Sequence, residues 1–427
     1  MEKGSESMKI NTKNCFQKNV WITLVLACFA IYSVTFFLTA NPFSAIHSGR
    51  AAYDSTYKSD AWTINTAYSM FLILVLITLA SFIYRSRKYF IYRFEFIYMS
   101  AILLISFING SIFDSTRSAV FNLVSILCVF RLVNVQLSMR DNNERSVFPI
   151  IKLWRLVSLL LVFGIILAIM QPNRYGLFNL NFSRTSRGEI TYWLLLGLHI
   201  WGIVLSLTVY TYCRKKSCLF VIGIIIFTQA AFANRMALII ICMPVLFYLL
   251  FMTKTNKKIV ALIVLIVFVY SQWDAILGIF TAGNDILNIS GILNGRDELW
   301  IFYIDRILEH PIIGCGLNLS SSASYTGGAF SEIGVLKIFG EYGIIIGGLQ
   351  LFAIIVSFAK ALKILINAGK SMNDISAIDL TMCFLVIANF SPFIIESYAR
   401  ILSFTDLFAW FSLYYVFFRI PLLSKNK

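Results

Sequence analysis

The chain has 427 residues, 59% of them hydrophobic and only 13% charged, and 36 Lys and Arg against 21 Asp and Glu give a formal charge of +15. A soluble globular protein carries about twice that charged fraction. A water-soluble enzyme and a nucleic-acid-binding domain are therefore excluded as starting expectations.

The expected class is an all-α, polytopic integral membrane protein, a single domain over 1–427, because apolar runs of about 17–25 residues recur and each can cross ~30 Å of hydrocarbon. Residues 1–19 are polar, and the first apolar run, 20–39, has the length of a span rather than that of a cleavable signal peptide's core. Further runs at 64–84, 94–109, 118–137, 153–170, 190–212, 218–233, 236–252, 259–278, 333–358, 377–395 and 401–420 bring the expectation to twelve spans. The stretch 218–252 is too long for one straight span. Arg214, Lys215 and Lys216 precede it and Lys254, Lys257 and Lys258 follow, so both flanks read as cytoplasmic and the chain turns near Asn234-Arg235. The same rule places both termini inside and turns the net positive charge into a topology signal.

Among the outer loops, 41–60 holds Asp54 and Asp60 well apart, unlike a tight carboxylate pair for a divalent cation. The loop 172–189 sets Arg174, Arg184 and Arg187 among aromatics and asparagines. It reads either as a track for an acidic or pyrophosphate-bearing substrate or as a solvated loop whose arginines meet lipid phosphates. Arg235 sits at the apex of the 218–252 hairpin. At mid-bilayer it costs at least ~2.5 kcal/mol and points to function; at the outer interface it snorkels to headgroups. Glu95, Arg131 and Asp379 read as interfacial or helix-packing charges, and Glu396 pairs by spacing with Arg400.

Eight cysteines and three histidines (His47, His199, His310) form no disulfide framework and no metal constellation. There is no phosphate loop, dinucleotide fingerprint or serine elbow. No metal and no cofactor is expected.

The longest polar-containing interruption runs from about Asn284 to Gly348, with a large outer loop over 279–332. Its centre, Asn294 to Gly316, reads N-G-R-D-E-L-W-I-F-Y-I-D-R-I-L-E-H-P-I-I-G-C-G. Asn294 suits a helix cap, the helix should stop before Pro311, and Gly314 and Gly316 permit backbone shapes that other residues resist. At 100° per residue Arg296, Trp300, Tyr303 and Ile307 share one side, opposite Glu298, Asp305 and Glu309. A cation at the positive end of the helix dipole is disfavoured by about 0.3–1 kcal/mol unless an anion joins it. Arg296 with free N–H groups is suited to phosphate; pairing with a nearby carboxylate is the alternative. Farther on, Lys337 and Glu341 fall on adjacent turns as an ion pair would, and Glu332 lies nearer the loop, where a carboxylate can act as a base.

These residues carry a resemblance. N-G-R-D-E-L-W and E-H-P-I-I-G-C-G-L resemble the signature of the bacterial O-antigen polymerase and O-antigen ligase superfamily, the Wzy-like membrane glycosyltransferases, where S-G-R-x-x-L-W is followed by a proline-glycine turn. E-I-G-V-L-K-I-F-G-E-Y-G-I-I-I-G is similar to the family's H-N-x-Y-L-x-x-L-x-E-x-G-x-x-G segment, and A-N-R-M-A-L to its S-R-x-x-L stretch. The likeness spans about 227–348 by motif and the rest by span count alone. It implies a GT-C-like, metal-independent glycosyltransferase of the bacterial inner membrane that acts on undecaprenyl-pyrophosphate-linked oligosaccharide, with a chain-length regulator as an accessory partner. Arg296 and Arg235 are then expected on the donor pyrophosphate and Glu332 as the base. The expected substrate-binding set adds Arg174, Arg187, Trp300 and His310. Glu332 and Ile333 stand where the ligase pattern has His and Asn, which favours polymerase over ligase. A flippase for the same lipid-linked sugars is the rival from another class, although no internal repeat of the kind transporters show is visible.

Overall fold

The computed structural model describes residues 72, 74–81, 97, 100–101, 112–138, 147–170, 189–231, 235–253, 296–315, 334–371, 375–390 and 404–419. Among these residues every regular element is an α-helix: α1 Ile112–Ser138, α2 Phe148–Met170, α3 Glu189–Cys213, α4 Lys216–Ala231, α5 Arg235–Met252, α6 Arg296–Glu309, α7 Gly334–Lys370, α8 Ala377–Phe390 and α9 Phe404–Arg419. Within α2 and α7, Phe148–Ile166 and Gly334–Lys370 are long and apolar enough to cross a bilayer. Val124–Leu137, Gly197–Cys213, Lys216–Gln229, Ile240–Met252 and Ala377–Phe390 are shorter apolar helices. Of the expected spans, 20–39 and 259–278 lie outside the described residues, as do most of 64–84 and 94–109.

The helix ends follow local chemistry. Pro149 stands in the first turn of α2, where its missing N–H costs nothing. Ser376 caps α8, its Oγ accepting from the Asp379 amide at 3.1 Å. The α3–α4 connection is one tight turn with Arg214 at φ 52°. The stretch expected to go out and return near Asn234-Arg235 is indeed two packed helices, α4 and α5.

The core forms around α3, whose residues 197–209 are all buried, and α8, which is buried along almost its whole length. These helices are too apolar for burial alone to set their register, so polar cross-links matter. Trp154 Nε1 of α2 donates to Ser206 Oγ of α3 at 2.9 Å, Thr208 of α3 meets Thr381 of α8 at 3.2 Å, and Tyr212 Oη donates to the Ile375 carbonyl at 2.6 Å. His199 of α3 bonds Gln229 of α4 in the interior. Aromatic pairs fill the seam with α9: Phe130 against Tyr414 at 4.5 Å and Trp201 edge-on to Phe408 at 5.0 Å.

Asp379 carries a buried charge, and its partners account for it. Arg419 pairs with both carboxylate oxygens, one contact at 2.6 Å, and Tyr415 Oη donates to Oδ1 at 2.9 Å. Arg131 donates to the Ser81 carbonyl at 3.0 Å. Both charges thus take part in helix packing.

α7 differs from the expected span over 333–358, since it runs on to Lys370. Charges at Lys360 and Lys363 suggest an exit from the helix, yet Lys360 is buried, donates to the Phe417 carbonyl and lies 5.1 Å from the Phe417 ring centre. With its charge satisfied by the end of α9, the helix has no reason to stop.

Candidate functional site

The helix expected after Asn294 is α6, and it ends at Glu309, as Pro311 requires. Its faces separate as the sequence period predicts: Tyr303 is fully buried, Trp300 and Ile307 are half-buried, and Asp305 and Glu309 are exposed. Tyr303 packs with Phe302, Cys315 and Leu336, which ties α6 to the start of α7. The Trp300 indole Nε1–H is buried and meets no acceptor among the described residues. Arg306 pairs with Glu309 one turn on and lies 5.5 Å from the Phe302 ring centre.

Beyond α6 the chain turns sharply onto α7. His310 N donates to the Arg306 carbonyl at 3.1 Å and Gly314 N to the His310 carbonyl at 2.9 Å. Two bonds then cross to α7: Cys315 N to the Gly340 carbonyl at 2.7 Å, and Ile344 N to the Pro311 carbonyl at 2.8 Å. They land on a break, because Gly343 has φ 70° and ψ −176° within the first third of α7. The break exposes backbone groups that a continuous helix would pair internally, and the turn after Pro311 satisfies them.

Both glycines at this junction are required. Gly314 also has φ 70°, and a Cβ there would come 2.5 Å from the Gly343 nitrogen and 2.6 Å from the Glu341 carbonyl. A Cβ on Gly343 would collide with the Ile312 carbonyl. Main chain therefore meets main chain, and P-I-I-G-C of one motif is locked to G-E-Y-G of the other.

Burial raises the Cys315 thiol above its ordinary pKa, with Arg306 acting in the opposite sense. Its Sγ lies 3.4 Å from the Arg306 carbonyl, consistent with a protonated, inert thiol. Lys337 and Glu341 are both buried beside the break. The sequence singles out this pair for its spacing but gives no hint that Glu341 sits beside a discontinuity at Gly343.

The expected site residues fall as follows. Arg296 and Arg235 are the first residues of α6 and α5, each at the amino end of its helix. Trp300 lies one turn beyond Arg296 along α6. His310 is exposed just past the other end of α6, ~20 Å along the axis from Arg296 at 1.5 Å per residue, so one diphosphate does not bridge the two. Arg174, Arg187 and Glu332 lie outside the described residues. Among the described residues no three His, Cys, Asp or Glu side chains gather as a metal site would need, and the described cysteines are all free thiols.

Compared with protein-family models, with curated proteins and with solved structures, the chain matches none.

Proposed function

We propose that this chain is a twelve-span protein of the bacterial inner membrane that lengthens a surface polysaccharide from undecaprenyl-pyrophosphate-linked oligosaccharide on the outer side. The observation that carries the reading is the backbone lock between the turn at Pro311–Cys315 and the break at Gly343. The two segments that resemble separate motifs of the polymerase and ligase superfamily, 294–317 and 332–347, meet through main-chain bonds across the residues that separate them.

In the proposed reaction, an acceptor hydroxyl attacks the anomeric carbon of the donor sugar. The new glycosidic C–O bond forms as the bond to the diphosphate breaks, and polyprenyl diphosphate departs with the electron pair. Negative charge grows on the leaving oxygens, where Arg296 and Arg235 act, each helped by the positive end of its helix. Arg174 and Arg187 are further candidates for the same anion. Glu332 accepts the hydroxyl proton. Trp300 offers its free indole N–H to a sugar or phosphate oxygen beside Arg296. The donor already carries its leaving group, so no nucleotide is consumed.

Loss of the gene separates the three readings in cells. A polymerase loss displays single repeat units outside, a ligase loss leaves polymer on its lipid carrier, and a flippase loss traps repeat units inside. The first outcome is expected, and either of the others overturns the proposal.

A further inference from the structure

α6 has a third face that neither its packing nor the proposed chemistry uses. Ile301, Ile304 and Leu308 share one side at 100° per residue, between the buried face and the side of Asp305 and Glu309. They are 61%, 45% and 73% exposed, and Ile312 just beyond the helix is 60% exposed. This edge does not end with α6. The carbonyl of Pro311 holds the amide of Ile344, and Ile344 and Ile345 are themselves exposed, followed down α7 by Phe352 and Ile355. The apolar edge of α6 thus runs directly into the outward apolar face of a helix long enough to span a bilayer.

We infer that α6 lies in the outer-leaflet interface of the membrane, with Ile301, Ile304, Leu308 and Ile312 among the acyl chains and Asp305 and Glu309 turned to water. An exposed apolar edge set apart from the charged side fits an interfacial helix better than a free loop helix. Continuity with α7 favours lipid over a second copy of the chain, because the same medium must cover both. On the reading of the preceding subsection, this seating holds Arg296 at headgroup depth, where the diphosphate of a lipid-borne donor lies.

The test uses the full chain in vesicles of phosphatidylethanolamine and phosphatidylglycerol, doped with a phospholipid carrying a photoreactive diazirine on its acyl chain. Adducts are mapped by peptide mass spectrometry. The expected result is lipid adducts on 300–313, together with adducts near Leu159 and Ile166 of α2 and near Phe352 and Ile355 of α7. Replacing Ile304 and Leu308 by Ser should lower the 300–313 adducts about five-fold while leaving those on α7. Adducts on α2 and α7 but none on 300–313 overturn the inference, as do copy-to-copy cross-links through 300–313 in their place. No adducts anywhere overturn the membrane reading and this inference with it. Adducts on 300–313 in a protein that lengthens no glycan uphold the seating and sink the glycosyl-transfer reading alone.

Discussion

The amide of Ile344 donates to the carbonyl of Pro311 across 2.8 Å, so the turn that closes α6 repairs the backbone where α7 is broken. The two helices are therefore one mechanical unit: moving α7 moves the helix that begins with Arg296. The junction depends on two glycines whose φ of 70° costs an L-residue about 1–2 kcal/mol before any clash is counted.

Gly314→Ala and Gly343→Ala should both lower the melting temperature in detergent and reduce chain elongation. Gly343→Ala should be the more severe, because its new Cβ comes closer to main chain than one at Gly314 does and its φ 70°, ψ −176° lies in a region that essentially only glycine adopts. Wild-type melting in both variants would show that the junction is loosely held.

Arg296→Ala and Arg296→Lys should each abolish long chains while the protein accumulates normally in the membrane. Lysine keeps the charge but loses the paired planar donors that grip a phosphate. Immunoblots for level and gel profiles of the polysaccharide measure both. Near-normal lengths in Arg296→Lys would remove the bidentate role.

Trp300→Phe keeps most of the ring packing and deletes the unpartnered indole N–H. A hydrogen bond to substrate is worth about 0.5–1.5 kcal/mol, so KM for the lipid-linked oligosaccharide should rise roughly 2–10-fold with melting unchanged. An unchanged KM would mean that the indole is only a packing group.

The Asp379–Arg419 pair should behave as a purely structural contact. Removing one partner strands a buried charge at about 3–5 kcal/mol, so Asp379→Asn and Arg419→Met should each melt early. The double substitution Asp379→Leu with Arg419→Met should recover part of the loss. Specific activity per folded molecule should stay near wild type throughout.

The faces and the end of α6 are legible in the sequence because their signals are local: a 3.6-residue period and a proline stop. So is the split between α4 and α5, since basic residues on both flanks of 218–252 point to a chain that turns back on itself. The break in α7 is not legible. Gly340, Gly343, Gly347 and Gly348 inside an apolar run read as close helix packing, and only the carbonyl of Ile312 arriving from a distant segment makes Gly343 the breaking point. The continuation of α7 past 358 is hidden for the same reason, because Lys360 donates a hydrogen bond to a carbonyl of α9. His310 enters the expected set through the motif alone, and the rise of 1.5 Å per residue over α6 already separates it from Arg296. The open edge of α6 is present in the sequence as Ile301, Ile304 and Leu308. It gains meaning only once Ile344 is seen beside Pro311.

Glu332→Gln should slow elongation by about 10²–10⁴-fold if this carboxylate takes the acceptor proton. Activity within a few-fold of wild type would remove it as the base.

The central claim is most directly tested with purified protein in vesicles supplied with undecaprenyl-pyrophosphate-linked oligosaccharide and no nucleotide sugar. Wild-type protein should convert it to a ladder of longer glycans and release undecaprenyl pyrophosphate in step, while Arg296→Ala protein should do neither. Oligosaccharide that changes leaflet without ever lengthening would contradict the account.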